Sequence, residues 1–229
     1  MITEHRVENT TVYVADVNIK NVSFLKTAFA EDKYGKNVKE KTSVTAANKN
    51  ALLAVNGDYY SAREGCVLRN GVLYRDFSGD SEQEALIINA DGSFDFVYEN
   101  EANADELVEQ KALQVLSFGP ALVKDGEISV GVNDEVDKAM RNNPRTAIAW
   151  YGGTHYAFVV GDGRTNESQG LSLYQLATFL QGLGVKAAYN LDGGGSSTMY
   201  FGGEVINNPT TNGKRISERE VSDIVYIGY

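Results

Sequence analysis

Cysteine and histidine are almost absent from this chain: Cys66 stands alone, and His5 and His155 are the only imidazoles among 229 residues. A single thiol excludes an internal disulfide. Two histidines leave too few ligands for a histidine-built zinc site, and a Ser-His-Asp or Cys-His arrangement would have to use one of them. The chemistry therefore falls to carboxylates, arginines, hydroxyls and backbone amides. Long hydrophobic runs are also missing. Stretches such as Ala51–Val55 and Tyr156–Val160 reach five residues, against the roughly 20 that a membrane helix needs. Basic residues are outnumbered, 21 against 31 acidic, giving a formal charge of −10 and a pI near 4.7. That field repels polyphosphates at long range, which excludes a general nucleic-acid or anionic-membrane binder. Proline occurs three times, so the 23 glycines do not make a flexible low-complexity linker. At about a tenth of the chain, against an average near 7%, they are positional.

What is present is the composition of a globular protein, 42% apolar and 23% charged, able to form a substantial core. The residues Met1–Asn9 are polar and lack an apolar segment of signal-peptide length. Strand patterning follows over Thr10–Lys20, then a short helix over Thr42–Asn50 started by Thr42 or Ser43, and a buried strand over Ala51–Asn56. Asn70-Gly71 between apolar flanks is the best hairpin signal, and Asp91-Gly92 marks a second, joining Ala85–Asn89 to Ser93–Tyr98. Glu99–Gln110 is acidic and weakly periodic, a surface helix or loop. Strand-like runs return at Val115–Phe118, Pro120–Lys124, Thr146–Tyr151, His155–Val160, Lys186–Leu191, Thr198–Phe201 and Ser222–Tyr229, while Gly131–Asn143 reads as a polar loop. The clearest helix is Ser172–Leu183, with Leu173, Leu176, Ala177, Leu180 and Leu183 at helical spacing and Ser172 with Gln175 as a capping box. With no repeat and no linker, the expectation is one α+β domain dominated by short, mostly antiparallel or mixed strands with a few helices. Residues 1–44 form an N-terminal strand and polar lead-in, and 45–229 form the main body.

Four constellations carry chemistry. Asn190-Leu-Asp192-Gly193-Gly194-Gly195-Ser196-Ser197-Thr198 delivers an amide and a carboxylate from a buried strand into a glycine turn. Its amides could form an anion nest, and its hydroxyls stand beside them. An isolated run of three glycines serves equally as a plain turn. Gly161-Asp162-Gly163-Arg164 places two charges at a strand end, although Asp-Gly is also the commonest turn filler. Asn143-Pro144-Arg145-Thr146 opens a buried strand with an arginine that needs an anionic partner. Asn56-Gly57-Asp58-Tyr59-Tyr60 puts aromatic rings beside an amide and a carboxylate, a set that suits a sugar, though packing is the default for tyrosine. There is no phosphate loop, no dinucleotide fingerprint and no Gly-x-Ser-x-Gly elbow. The run Asp76 to Glu82 has cation-loop oxygen spacing but lacks the glycine and terminal glutamate of a calcium loop.

In order, VNGDYY, SFGPALVKDGEI, NPRTAIAWY, FVVGDGR, the long stretch LSLYQLATFLQGLGVKAAYNLDGGGSSTMYFGGEVINNP and EREVSDIVYIGY resemble the phosphodiester glycosidase family over about residues 45 to 229. The resemblance implies a hydrolase that removes a sugar linked through its anomeric carbon to a phosphodiester. Its substrate would be a small-molecule or polymeric sugar phosphodiester, acted on outside the cell or at its surface by a domain excised from an exported protein. The implied roles are Asp192 or Asp162 as the catalytic carboxylate, and Arg145, Arg164 and Arg219 on the phosphate. Gly193, Gly194 and Gly195 would offer amides, and Asn190, Ser196, Ser197, Asn56 and Tyr59 would orient sugar hydroxyls or phosphate oxygens. Asp58 stands where many members have glycine. A divalent cation, calcium or magnesium, is the cofactor left open, with Asp58, Asp162 and Asp192 as candidate ligands. The alternatives are a non-catalytic glycan-binding module and a metal-dependent phosphodiesterase. Oligomeric state is open.

Overall fold

The computed structural model describes residues 1–77, 81–135 and 142–229. Parts of the Asp76–Glu82 and Gly131–Asn143 segments considered above lie outside the described residues. Among the described residues the chain is mostly antiparallel strand with three α-helices, in a single domain. A seven-stranded sheet runs in the order Ile2–Val7, Thr10–Asn18, His155–Gly161, Arg145–Gly152, Ala187–Leu191, Ala121–Lys124 and Glu127–Ile128. A five-stranded sheet orders Val72–Arg75, Val67–Arg69, Gln114–Leu116, Glu84–Ile88 and Phe94–Tyr98, and another orders Glu204–Val205, Met199–Phe201, Leu53–Asn56, Asp223–Ile227 and Leu25–Phe29.

The three sheets share one core. Tyr156, Phe158, Val160, Ile148 and Tyr189 of the large sheet pack with Leu86, Ile88 and Leu116 of one small sheet and with Leu53, Val55 and Val225 of the other. On the opposite face of the large sheet, Ala157, Val159, Ala147 and Ala149 pack under the helix Leu173–Gly182 through Leu173, Leu176 and Leu180. Burial on both faces explains why Tyr156–Val160 is a continuous apolar run and not an alternating one. Each small sheet is covered in the same way by a short helix, Ala104–Glu109 over Leu68, Ile87 and Val115, and Thr42–Asn48 over Ala54 and Ile224.

The hairpins lie where the sequence signals put them. Asn70 and Gly71 both take positive φ (51° and 80°) between Val67–Arg69 and Val72–Arg75, the geometry that the tight primed turn requires. The Ser172 capping box is present, with Gln175 N donating to Ser172 Oγ at 3.1 Å and Ser172 N donating to Gln175 Oε1 at 2.9 Å. Three features differ from expectation. The polar Met1–Asn9 segment contains a strand, Ile2–Val7, on the edge of the large sheet, where one neighbour suffices and no apolar pattern is needed. Leu25–Phe29 is likewise an edge strand. Neither Thr42 nor Ser43 caps the first helix: Lys41 occupies that position without a side-chain bond. The carboxylate of Glu218 accepts instead from Ser43 N at 3.0 Å and Ser43 Oγ at 2.5 Å.

Candidate active site

Strand pairing assembles the site. Thr146 pairs with Leu191 and Arg145 with Gly161, so Asp192 and Asp162 leave the large sheet on either side of the same strand. Asn56, at the end of Leu53–Asn56, ties a small sheet to this point. Its Nδ2 donates to Asp192 O at 2.6 Å, and its Oδ1 accepts from Thr146 Oγ1 at 2.8 Å and Thr198 N at 3.3 Å. Asp192 N donates to Gly57 O at 3.2 Å. Asn56 is completely buried, and its polar atoms are spent inside the protein. It acts as a pin between sheets, unlike the sugar-orienting role expected of it.

The glycine turn is a packing device. A Cβ on Gly193 would lie 2.8 Å from Pro144 O, one on Gly194 2.8 Å from Arg164 Nη2, and one on Gly195 2.5 Å from Thr211 Oγ1. Gly194 also has a φ of +60°. Gly194 N donates to Pro144 O at 2.8 Å, while Ser196 N and Ser197 N close the turn on Gly193 O and Gly194 O. Those three amides are satisfied internally, so the expected anion nest is not formed by them.

On this turn lies Asp192, nine-tenths hidden from solvent. Its Oδ2 accepts from Arg219 Nη2 at 3.2 Å. Burial raises its pKa above the ordinary carboxylate range, opposed by the Ser196 hydroxyl, the Arg219 charge and Gly193 N. Arg219 also donates to Ser196 Oγ through Nε (3.0 Å) and Nη2 (2.5 Å). It sits 5.9 Å over the Tyr59 ring, and its side chain keeps 41% exposure. No described hydrogen bond uses its Nη1. Arg164 reaches the same turn, its Nη2 lying 2.8 Å from where a Cβ on Gly194 would be. Its Nη1 donates to Thr211 O at 2.5 Å and its Nη2 to Asn143 Oδ1 at 3.0 Å, and its Nε is buried without a partner. Burial first, and the neighbouring Arg219 charge second, lower its pKa. Two guanidiniums thus act on one buried carboxylate, Arg219 in contact with it and Arg164 through space.

The remaining expected residues divide. Asp162 Oδ1 accepts from Asn207 Nδ2 and Asn208 N, and its Oδ2 from Asn208 Nδ2, each at 3.0 Å. That grip fixes the segment entering Thr210 and Thr211. Arg145 shares the helix-side face of its strand with Ala147 and Ala149 by alternation. Its Nε donates to Leu171 O at 2.9 Å and its Nη2 to Glu135 at 2.8 Å, so the structure does not aim those contacts at the Arg164–Arg219 pair. Asn190 is on that same side, donating to Gly119 O at 2.8 Å. The Oγ of Ser197 is buried without a partner. Asp58 is held in a buried ion pair with Arg69 at 2.8 Å. The three aspartates considered for a cation therefore do not gather, and among the described residues no cluster of three or more His, Cys, Asp or Glu could hold a metal. Sequence reasoning missed Asn207 and Asn208, whose paired amides after a strand end were the available signal, and Lys39, whose Nζ donates to Tyr59 Oη at 3.2 Å.

Residues 49–228 match the family model described as phosphodiester glycosidase. The chain belongs to the phosphodiester glycosidase family. It is 28% identical over 201 residues to the prophage-derived YomE of Bacillus subtilis, covering 86% of this chain and 31% of YomE. To human N-acetylglucosamine-1-phosphodiester α-N-acetylglucosaminidase it is 28% identical over 181 residues, covering 72% of this chain and 35% of the relative. It spans about a third of the length of both relatives. The catalytic domain of the zebrafish enzyme of that name, solved in a form auto-inhibited by its pro-peptide, superposes with a TM-score of 0.80 at 24% identity, over all of this chain and 82% of the other. A Burkholderia pseudomallei exported protein gives 0.65 at 15% identity, over 95% of this chain and 74% of that one. The family rests on the match over residues 49–228, and the two structural likenesses show the fold.

Proposed function

We propose that this chain hydrolyses a sugar-1-phosphodiester at the anomeric C–O bond, acting on a cell-surface or extracellular phosphoglycan. Water attacks the anomeric carbon, the C–O bond breaks, and the phosphate departs as a monoester while Asp192 takes the proton of the attacking water. A phosphate monoester has a second pKa of about 6, against about 15.7 for water as a guide to an alkoxide, so it leaves with far less protonation than a sugar alkoxide needs. Arg164 and Arg219 supply planar donors to the phosphoryl oxygens, which replaces part of the acid's work. That division suits a chain whose site holds arginines and a carboxylate and no histidine.

The observation that carries this reading is the buried Asp192 in contact with Arg219, with Arg164 at the same glycine turn. A base with a raised pKa is a stronger proton acceptor, and the Arg219 charge opposes the rise that burial imposes. Asp162 keeps a supporting role through Asn207 and Asn208. Hydrolysis in ¹⁸O-labelled water tests the reaction: the label belongs in the released sugar. Label in the phosphate, or no sugar released from N-acetylglucosamine-1-phosphodiesters, overturns it.

A further inference from the structure

Four aromatic rings cluster around Tyr60, the residue that follows Tyr59. Phe29 meets Tyr34, Tyr60 and Tyr74 with ring centroids 5.6, 5.2 and 4.9 Å apart, and Tyr34 stacks on Tyr60 at 5.2 Å with a 19° interplanar angle. Phe29 and Tyr60 are buried, whereas Tyr34 and Tyr74 keep 39% and 43% of their surface open. Their rings lie 5.3 Å apart. The open pair therefore offers aromatic surface to solvent on top of a buried pair. They are also pre-organised, because Tyr60 Oη accepts from Gly35 N at 3.1 Å and so anchors the loop that carries Tyr34.

The cluster connects to the reaction centre through Tyr59 and the loop that carries Lys39. Tyr60 follows Tyr59, whose ring lies under Arg219. Lys39 Nζ stands 5.0 Å from the centroid of that same Tyr59 ring, and Lys36 lies on the same loop. Neither lysine has a carboxylate partner among the described residues. In a chain of net charge −10, a path of tyrosines edged by lysines leading to two arginines is a local exception that fits an anionic glycan.

We propose that Tyr34 and Tyr74 form the stacking floor of a second saccharide subsite, which takes a pyranose ring on the aglycone side of the phosphodiester. This rests on the proposed sugar-1-phosphodiester hydrolysis. The apolar C–H face of a pyranose packs on an aromatic face, while Tyr hydroxyls and Lys36 reach its hydroxyls. The subsite makes the preferred substrate an oligosaccharide or longer phosphoglycan, with a small alkyl phosphodiester leaving the subsite unused.

The test compares methyl N-acetylglucosamine-1-phosphodiester with the same sugar phosphate esterified to the 6-hydroxyl of maltotetraose. Two double variants are used, Tyr34→Ala with Tyr74→Ala and Tyr34→Leu with Tyr74→Leu, the second retaining apolar bulk over Phe29; thermal melting checks the fold. The expected result is kcat/KM within about twofold of wild type on the methyl ester and about tenfold lower on the maltotetraosyl ester, the size of a lost stacking contact. An equal loss on both esters, or no loss on either, overturns the subsite. If wild-type protein releases no sugar from either ester, the hydrolase reading falls and the subsite is judged by equilibrium binding of maltotetraose 6-phosphate. About tenfold weaker binding by the leucine variant supports it, and unchanged or unmeasurable binding overturns it.

Discussion

Arg219 Nη2 donates to Asp192 Oδ2 at 3.2 Å while the same guanidinium clamps Ser196 Oγ. One cation therefore fixes both the carboxylate and the last residue of the turn that delivers it. Removing the negative charge without removing the shape isolates the chemistry. Asp192→Asn should lower kcat/KM by about 10²–10⁴, the span of a lost general base, with a melting temperature close to that of wild type. Full activity in a folded Asp192→Asn protein would exclude Asp192 from the reaction.

The same pair predicts a pH profile. Burial raises the Asp192 pKa and the Arg219 charge lowers it. Activity needs the ionised carboxylate, so it rises with pH along an acid limb that lies above the ordinary carboxylate range. Replacing Arg219 with glutamine removes the lowering influence, and the limb should move to higher pH. A limb that stays in place, measured as log kcat/KM against pH, would show that another group titrates.

For the phosphate, the arginine fork matters more than its charge. Arg164→Lys keeps one positive charge but loses the planar pair of donors. A charged hydrogen bond is worth about 1.5–3 kcal/mol, so kcat/KM should drop about ten- to a hundredfold. Unaltered kinetics would mean that Arg164 serves only Thr211 and Asn143.

Much of this arrangement was legible in the sequence because its signals are local. Asn70-Gly71, the Ser172 box and the buried strand Tyr156–Val160 each contain their own physical reason. The residues Asp192, Arg164 and Ser196 stood in motifs at strand ends, where side chains reach a sheet rim. What local signals could not tell was where a long side chain turns. Arg145 and Asn190 face the helix side because strand alternation sets their direction, and Asn56 is consumed by joining two sheets. The edge strands Ile2–Val7 and Leu25–Phe29 were hidden for the opposite reason, since an edge tolerates polar residues.

The glycines offer a paired stability test. A Cβ on Gly57 would lie 2.4 Å from the buried Asp223 carboxyl, and nothing lies within 4 Å of one on Gly182. Gly57→Ala should destabilise by about 1–3 kcal/mol, as overpacking does. Gly182→Ala, at the end of a helix, should be neutral or stabilise by up to about 1 kcal/mol. Urea unfolding of both variants measures the contrast, and similar values for the two would refute a packing role for Gly57.

Beneath the site, Arg69 Nη2 bridges Asp58 at 2.8 Å and Asp223 at 3.0 Å, all three fully enclosed. Burial and the nearby Asp58 push Asp223 up to about 7, against the opposing Arg69 charge. Arg69→Met leaves two buried carboxylates without a counter-charge and should cost about 3–5 kcal/mol. The pH dependence has a definite sign. Because the folded state holds the Asp223 proton more tightly than the unfolded chain, its contribution is complete below the unfolded value near 4 and is lost as pH rises through about 7. Asp223→Asn removes that group, so the difference in unfolding free energy, wild type minus variant, should fall steadily from pH 4 to pH 7.5. A difference that stays constant or rises over that range would show that Asp223 is ionised in the folded protein throughout.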